Sequence, residues 1–584
     1  MKELLSGNEA IARGAYEAGA GFAAAYPGTP STEILENFAR YPGVTAQWSS
    51  NEKVALEEGI GASLAGVRTL VAMKHVGVNV AADPLFTFAY TGVNAGLVLV
   101  SADDPGMHSS QNEQDNRHYA RAAKVPMLEP SDSAEARDMT ALAFQLSEDF
   151  DTPVVLRSTT RISHSKGLLD LKDGGPREIK EYKKDPKKYV MIPAFGRLRH
   201  REVLQRLEKL KEYSESTPLN RVERGSDGGK IGIVTSGVAY QYVREALPRV
   251  SILKLGMPFP FPEELLKKFA ASVEKLYVVE ELEPFLEGYI RALGIEVSGK
   301  SLFPLYGEID ANMIAENILG SPLYKKLEPD GYDPGEIPLR PPVLCPGCSH
   351  RGAFYVLKKL KLIATGDIGC YTLSCLPPLQ AMDTCICMGA SISSAVGMVR
   401  ANPGLSDRVV AVIGDSTFFH SGLTGIVDSV YNKAPVTVLI LDNRITAMTG
   451  HQHHPGTGRT LQGEETTALE IGQVVKGLGV KRVREVDPFD VRAMEKALKE
   501  ELAEKETSVI VARRPCALLQ KPDPPYACDP ELCSDCSICM RLGCPAISQG
   551  EGHVQVNAAL CTGCTLCEQI CPKGALKEAG ETHE

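Results

Sequence analysis

Two cysteine runs near the end of the chain carry the most specific spacing in the sequence: Cys533-x2-Cys536-x2-Cys539-x4-Cys544-Pro545 and Cys561-x2-Cys564-x2-Cys567-x3-Cys571-Pro572. Thiolates two residues apart converge on one centre from a single turn, and a centre held by several thiolates is the chemistry of iron–sulfur clusters or of zinc. A three-cysteine run given twice, each closed by Cys-Pro, favours two clusters over two zinc ions, and such clusters pass single electrons. The first run has one extra residue before its last cysteine, at Gly543 or a neighbour, which reads as a bulge that keeps the ligand. Cys528 lies outside both runs and reads as a bystander.

The duplicated run resembles that of two-cluster bacterial ferredoxins, in which the fourth cysteine of each run ligates the other cluster. The resemblance implies a crossed set: Cys533, Cys536, Cys539 and Cys571 for one 4Fe–4S cluster, and Cys561, Cys564, Cys567 and Cys544 for the other.

A second constellation belongs to a hard cation. Gly414-Asp415-Ser416 ends one apolar run, and Asn443 follows the next, with 26 residues between Ser416 and Asn443. Parallel strand ends bring such distant side chains together, and Mg²⁺ bridging diphosphate oxygens takes oxygen ligands, for which Asp415, the Asn443 amide and the Ile445 carbonyl are suited. A strand-to-helix turn capped by an aspartate is the plainer alternative. The pattern resembles the thiamine-diphosphate motif, Gly-Asp-Gly followed by Asn, departing from it at Ser416; the resemblance implies a cofactor site at Asp415, Ser416, Asn443, Ile445 and Gly450. Thr449-Gly450-His451-Gln452-His453-His454 then stands where thiazolium and substrate would lie, but none of its histidines is singled out as a proton donor.

Thiamine chemistry needs a carboxylate on the aminopyrimidine ring so that the cofactor can move its own proton. Gly7-Asn-Glu-Ala10 and Ala25-Tyr-Pro-Gly-Thr-Pro-Ser-Thr-Glu33 resemble the opening of the pyrimidine-binding domain of 2-oxoacid:ferredoxin oxidoreductases, and Ser50-Asn-Glu-Lys-Val-Ala-Leu-Glu-Glu-Gly-Ile-Gly-Ala62 stands at its glutamate segment. Glu52 is the candidate by its offset from Gly61-Ala62, with Glu57 and Glu58 as competitors. Thr29 is similar to the family threonine that meets the substrate. Arg117 or Arg121 corresponds to an arginine for the oxoacid carboxylate, a surface ion pair being the alternative reading for either.

Cys345-Pro-Gly-Cys348, Cys370 and Cys516 resemble the proximal cluster ligands of the same family and imply a third cluster. Cys375, Cys385 and Cys387 are rivals for the fourth place, and zinc, a redox pair or buried thiols are the alternatives.

Several α/β elements are needed to position these groups. Residues 1–170 alternate helical patterns with apolar runs such as Leu97–Val100, reading as a pyrimidine-binding domain. Residues 171–229 read as a charged connector with an amphipathic helix through Leu198, Val203, Leu204, Leu207 and Leu210; 230–335 reads as a small α/β domain like the C-terminal domain of transketolase. Residues 343–520 read as the diphosphate domain and 524–584 as the ferredoxin-like tail, reached through the stiff Lys521-Pro-Asp-Pro-Pro525. The expected class is α/β: a multidomain thiamine-diphosphate-enzyme fold of several doubly wound domains with a two-cluster ferredoxin-like end.

The 584 residues exceed one ordinary core, no apolar run is long enough for a membrane span, and no secretory leader is readable, which points to a cytoplasmic protein. A net charge of −10 argues against nucleic acid and leaves small acidic ligands open. Nine of the sixteen cysteines fall between Cys528 and Cys571, which in a reducing compartment means metal rather than disulfides. Taken in order, the segments resemble the 2-oxoacid:ferredoxin oxidoreductases over essentially the whole chain, and within them the catalytic alpha subunits acting on aryl pyruvates. That resemblance implies indolepyruvate-like substrates, coenzyme A as acyl acceptor, ferredoxin as electron acceptor and a smaller beta subunit. Two further readings remain: a non-oxidative thiamine-diphosphate decarboxylase with a structural tail, and an electron-transfer subunit without substrate.

Overall fold

The computed structural model describes residues 2–324 and 340–580. The chain divides into two compact bodies, Met1–Gly331 and Tyr332–Glu584. The boundary expected near residue 335, and the proline stretch from Pro334 to residue 339, lie outside the described residues.

In the first body a short ribbon, β1 (Lys2–Ser6) with β8 (Lys166–Asp170), brackets a six-stranded sheet. Its strands are β2 (Phe22–Ala25), β3 (Thr45–Trp48), β4 (Thr69–Lys74), β5 (Leu97–Asp103), β6 (Met127–Leu128) and β7 (Val154–Thr159), in spatial order β3-β2-β4-β5-β7-β6, all parallel. Every residue of β4, β5 and β7 is buried, as helices on both faces of a parallel sheet require. The chain leaves β2 toward β3 on one side and returns to β4 on the other, so the sheet changes direction between β2 and β4.

A four-stranded sheet follows: β9 (Asn220–Glu223), β10 (Ile231–Thr235), β11 (Ser251–Leu255) and β12 (Lys275–Val279), in order β12-β10-β11-β9, with β9 antiparallel. Its edge strand β9 comes from the stretch read as connector. The same stretch forms the helix Pro193–Ser216, whose buried stripe is Arg199, Val203, Arg206 and Leu210. Leu198 and Leu204 face outward, 51% and 43% exposed, against the sequence expectation. The periodicity holds, but arginine fills two stripe positions, because the Arg199 guanidinium donates to the carbonyls of Tyr90 and Thr91, and that of Arg206 to those of Ala89 and Asp151. One core joins the two sheets, running from Val71 and Leu99 to Val234, Leu253 and Phe285.

The second body repeats the topology of the first sheet. Its strands are β13 (Ile363–Gly366), β14 (Thr384–Cys385), β15 (Val409–Gly414), β16 (Thr437–Asp442), β17 (Arg482–Val486) and β18 (Ser508–Arg513). They stand in order β14-β13-β15-β16-β18-β17, all parallel, so this sheet changes direction between β13 and β15.

The tail adds two antiparallel ribbons, β19 (Tyr526–Cys528) with β22 (Leu576–Glu578) and β20 (Ile547–Gln549) with β21 (Val554–Val556). It is not held off by its proline linker. Leu542, Leu566 and Leu576 share one apolar core with Phe354, Leu357 and Met494 of the sheet's helices. The buried Arg351 guanidinium donates to the carbonyls of Leu344, Cys345 and Leu542, and Gln569 bonds the Phe489 carbonyl. A linker of prolines keeps its own backbone extended, but burial of that apolar face outweighs the separation it would impose.

Candidate functional site

At the direction change of the second sheet, Asp415 follows β15 and Asn443 follows β16, whose register sets Gly414 opposite Leu441. Asp415 is 3% exposed. Its carboxylate accepts the Ser416 N–H at 2.8 Å and pairs with His454 Nε2 at 3.1 Å. The Gly456 N–H donates to His454 Nδ1 (3.1 Å), which leaves the imidazole proton on Nε2 and aims it at Asp415. Burial pushes the Asp415 carboxyl up, but His454 and the Ser416 N–H outweigh it and hold the group below the ordinary carboxylate range. Burial, then the charge of Asp415, pushes neighbouring Asp442 up, while burial draws His350 down to about 4.

The Asn443 side-chain oxygen faces only acceptors, its position lying 3.2 Å from each Asp415 carboxylate oxygen and 2.8 Å from the Ile445 carbonyl. Turning the amide so that its NH₂ donates would satisfy these contacts, and so would a cation. Octahedral Mg–O bonds of about 2.0–2.1 Å put adjacent ligand oxygens about 2.9 Å apart, the spacing seen here. The donor set therefore fits a hard cation. Ser416 Oγ accepts from Thr446 Oγ1 at 2.9 Å, and Gly450, at φ +120°, lies where a side chain would meet the Gln452 amide. His454 and His350 are the groups sequence reading missed here; the His-rich loop held the first in plain view, while nothing in the pattern marked the second.

In the first body Glu52 opens the helix Glu52–Leu64, capped by Asn51, whose side chain accepts the Val54 N–H at 2.9 Å. The structure separates the three glutamates. Glu52 is buried at 6% exposure; Glu57 is exposed and paired with Lys53, and Glu58 accepts from Ser49. A Cβ on Gly77, in the helix His75–Val80 after β4, would lie 2.7 Å from Glu52 Cγ and 2.8 Å from Oε1, so any larger residue there would displace the carboxyl. Thr29 follows β2 across Gly28; Asn8 Nδ2 holds the next carbonyl, that of Pro30, at 2.7 Å.

The two arginines part ways. Arg117 is 1% exposed and fully engaged by Asp115, Glu280 and the carbonyls of Glu281 and Glu283, above the Phe285 ring. It joins the two sheets of the first body rather than facing a ligand. Arg121 is exposed, its guanidinium 4.8 Å over the Tyr289 ring.

Among the described residues, no three His, Cys, Asp or Glu side chains are drawn together to hold a single metal ion. The tail cysteines surround two hollows instead. Cys533, Cys536, Cys539 and Cys571 line one of about 320 Å³; Cys544, Cys561, Cys564 and Cys567 line another of about 400 Å³. These are the crossed sets. Gly347 and Arg351 also line the second hollow, and a Cβ on Gly347 would strike Thr562, so the Cys345–Cys348 turn abuts the tail.

Cys345, Cys348, Cys370 and Cys516 form a further group. The Cys348 N–H donates to the Cys345 carbonyl at 3.1 Å, and the Cys516 N–H to the Asn443 carbonyl at 3.0 Å, tying this group to the cation site. Burial, with neighbouring thiols adding, pushes Cys348 up to about 12 and Cys370 to about 11. Cys385 sits elsewhere, its Sγ 3.7 Å from the Asp367 carbonyl, and its acidity feels Cys375 and Cys387.

Three family models match. "Pyruvate flavodoxin/ferredoxin oxidoreductase, thiamine diP-bdg" covers residues 13–207, "Thiamine pyrophosphate enzyme, C-terminal TPP binding domain" covers 367–512, and "4Fe-4S binding domain" covers 554–577. Indolepyruvate oxidoreductase subunit IorA of Archaeoglobus fulgidus is 42% identical, the match covering 99% of this chain and 98% of that one. The chain belongs to the IorA family. The subunit of the same name from Pyrococcus horikoshii is also 42% identical, over 99% of this chain and 97% of its own. Subunit KorA of 2-oxoglutarate synthase from Archaeoglobus fulgidus is 28% identical over 48% of this chain and 87% of its own. A solved 2-oxoglutarate:ferredoxin oxidoreductase chain from Magnetococcus marinus aligns at TM-score 0.47 and 19% identity, over 55% of this chain and 65% of that one. The family thus binds thiamine diphosphate and carries 4Fe–4S iron, and Thr29, Glu52, Asp415 and Asn443 fall within the matched segments. No helix among the described residues is long and apolar enough to cross a membrane.

Proposed function

We propose that the chain is the catalytic alpha subunit of a ferredoxin-linked indolepyruvate oxidoreductase. It decarboxylates aryl pyruvates oxidatively, passes the acyl group to coenzyme A, gives two electrons to ferredoxin, and works beside a smaller beta subunit. The observation that carries this reading is the convergence of Asp415, Asn443 and Ile445 in the same body as two four-cysteine hollows. A cation site alone suits a decarboxylase and cysteines alone suit an electron carrier; together they suit a decarboxylation whose electrons leave through the protein.

Asp415, the Asn443 side-chain oxygen and the Ile445 carbonyl would hold Mg²⁺, and the His454 N–H keeps Asp415 ionised for it. Thiamine diphosphate, when bound, supplies a nucleophilic carbon and an electron sink for loss of CO₂. Glu52, buried at the positive end of its helix, holds the proton shared with the aminopyrimidine nitrogen, and Thr29 meets the substrate. The crossed cysteine sets lining the tail hollows would hold two 4Fe–4S clusters, which would carry single electrons. Cys345, Cys348, Cys370 and Cys516 would hold a third beside the cation site, where it would supply a one-electron acceptor.

The test is reduction of methyl viologen by the chain co-expressed with its partner, offered indolepyruvate, pyruvate or 2-oxoglutarate with and without coenzyme A. Reduction with indolepyruvate that depends on coenzyme A is expected. Reduction with pyruvate alone overturns the aryl assignment, and CO₂ release without viologen reduction returns the non-oxidative reading.

A further inference from the structure

Open parallel sheets bind ligands beyond the carboxyl ends of their strands, where neighbouring strands send their connections to opposite sides. In the first body that place lies between β2, which runs out into Gly28-Thr29, and β4, which ends on Lys74. Lys74 is 8% exposed and packs on Gly28, where a Cβ would lie 3.3 Å from its own. Its ammonium donates to the Ser109 carbonyl, and the Ser109 hydroxyl donates to the Thr29 carbonyl at 3.2 Å. Three residues on, Gly77 lies against Glu52. The segment from Lys74 to Gly77, which opens the helix His75–Val80, therefore lies against Glu52 and reaches Thr29 through Ser109.

An ammonium has three donors, and one carbonyl takes only one of them. Among the described residues no carboxylate lies within ion-pair distance of Lys74. Asp104, whose field reaches it, is held by the Ser109 N–H, the Ser110 hydroxyl and the Thr160 hydroxyl. A desolvated cation with no carboxylate in contact is costly, and an anion arriving with a ligand lowers the cost. Arg117 cannot be that ligand's partner, because its donors are spent inside the body.

We propose that Lys74 is the cation that receives the carboxylate of the incoming 2-oxoacid. The assignment rests on the oxoacid reading given above. It places the anion beside Thr29 and on the Glu52 side of the sheet's crevice, without calling on the engaged Arg117. Burial draws the ammonium down to about 8, against the field of Asp104. The other titratable groups facing this segment are His75, itself drawn down by burial, and Glu52 across Gly77. Lys74 is thus charged below about pH 8 and loses its charge above it, and affinity for the oxoacid falls in that direction.

Lys74→Met and Lys74→Arg, made in the full chain with its partner, test this. Removing one member of a desolvated charge pair weakens binding by about thirtyfold or more, so KM for the 2-oxoacid in Lys74→Met is expected to rise by that factor while iron content and thiamine diphosphate affinity stay at wild-type values. Wild-type KM should climb above about pH 8, whereas Lys74→Arg, which keeps its charge, should show no such climb. Binding of an unreactive arylacetate, followed by calorimetry against its uncharged amide, gives a readout apart from turnover: wild type prefers the acid and Lys74→Met does not. A wild-type KM in Lys74→Met, or an equal loss of acid and amide binding, overturns the proposal. A wild-type enzyme that reduces viologen with no 2-oxoacid overturns the functional reading instead.

Discussion

A carboxylate buried at the first residue of a helix lies in the helix's own positive field, the place where a ligand's proton can be shared. Glu52 has that position, whereas Glu57 is exposed beside Lys53 and Glu58 accepts from Ser49. Glu52→Gln keeps the shape and loses the proton affinity. Thiamine diphosphate should still bind, measured by quenching of protein fluorescence, while turnover falls roughly a hundred- to ten-thousandfold; near-normal turnover would move the role to another group. Asp415 differs, because its charge binds rather than reacts. Asp415→Ala leaves the Asn443 and Ile445 oxygens without an anion beside them, and Mg²⁺-dependent cofactor binding should be lost in the same titration; wild-type affinity would remove the cation site. At this scale the sequence named the residue types that do chemistry but not their partners. The His454–Asp415 bond joins residues 39 apart and depends on a Gly456 N–H that fixes a tautomer, which no spacing pattern encodes.

The elements decide which of those residues meet. Both six-stranded sheets reverse direction next to their second strand in spatial order, and both crevices collect the groups singled out: Gly28, Thr29 and Lys74 in one, Cys370, Asp415 and, one strand further, Asn443 in the other. The apolar runs that became β5, β7, β15, β16 and β18 were legible because strands buried on both faces are continuous in β-branched and aliphatic residues. The turns between them were not, since their meaning lies in close approach. Gly77, in the helix His75–Val80 that leads from β4, is such a close approach. Gly77→Ala puts a methyl group 2.7 Å from Glu52 Cγ, so the carboxyl must shift; turnover should fall by about a hundredfold with cofactor affinity kept, as a displacement near 1 Å costs. Cys345, Cys348, Cys370 and Cys516, which come from three separate connections, have their own test in anaerobic iron analysis. Two cubanes give about 8 irons per chain and three give about 12, at roughly four each. Cys516→Ala should lower the count from 12 toward 8 and leave the tail's signals unchanged, whereas an unaltered count would end the third cluster.

For the whole molecule, the repeated topology of the two large sheets was invisible in the sequence, where only the cysteine runs repeat, because strand order depends on crossovers rather than on residue identity. Packing of the tail on Phe354, Leu357 and Met494 was hidden for a similar reason: the proline linker is local, and the apolar face that overrides it is assembled from distant positions. The first body hides a third such feature, a buried net in which Arg117 and Arg157 face Asp103, Asp115, Glu129 and Glu280 between its two sheets. Glu281 lies in that net and accepts the Ile309 N–H at 3.4 Å; burial pushes its carboxyl up to about 7, against the pull of Arg157. Its unfolded value is 4.5, so between these pH values the folded chain holds a proton that the unfolded chain has lost. The folded state therefore loses stability as pH rises from 4.5 to about 7 and levels off above it. Over 7 − 4.5 = 2.5 pH units, at about 1.4 kcal/mol each, the loss reaches about 3 kcal/mol. Glu281→Gln keeps the volume and removes the titration. Measured by thermal unfolding of the iron-loaded full chain, the midpoint of Glu281→Gln relative to wild type should rise steadily from pH 5 to pH 7 and then stay constant to pH 8. A difference that does not change with pH would mean that Glu281 is charged throughout and that Arg157, not burial, sets its state.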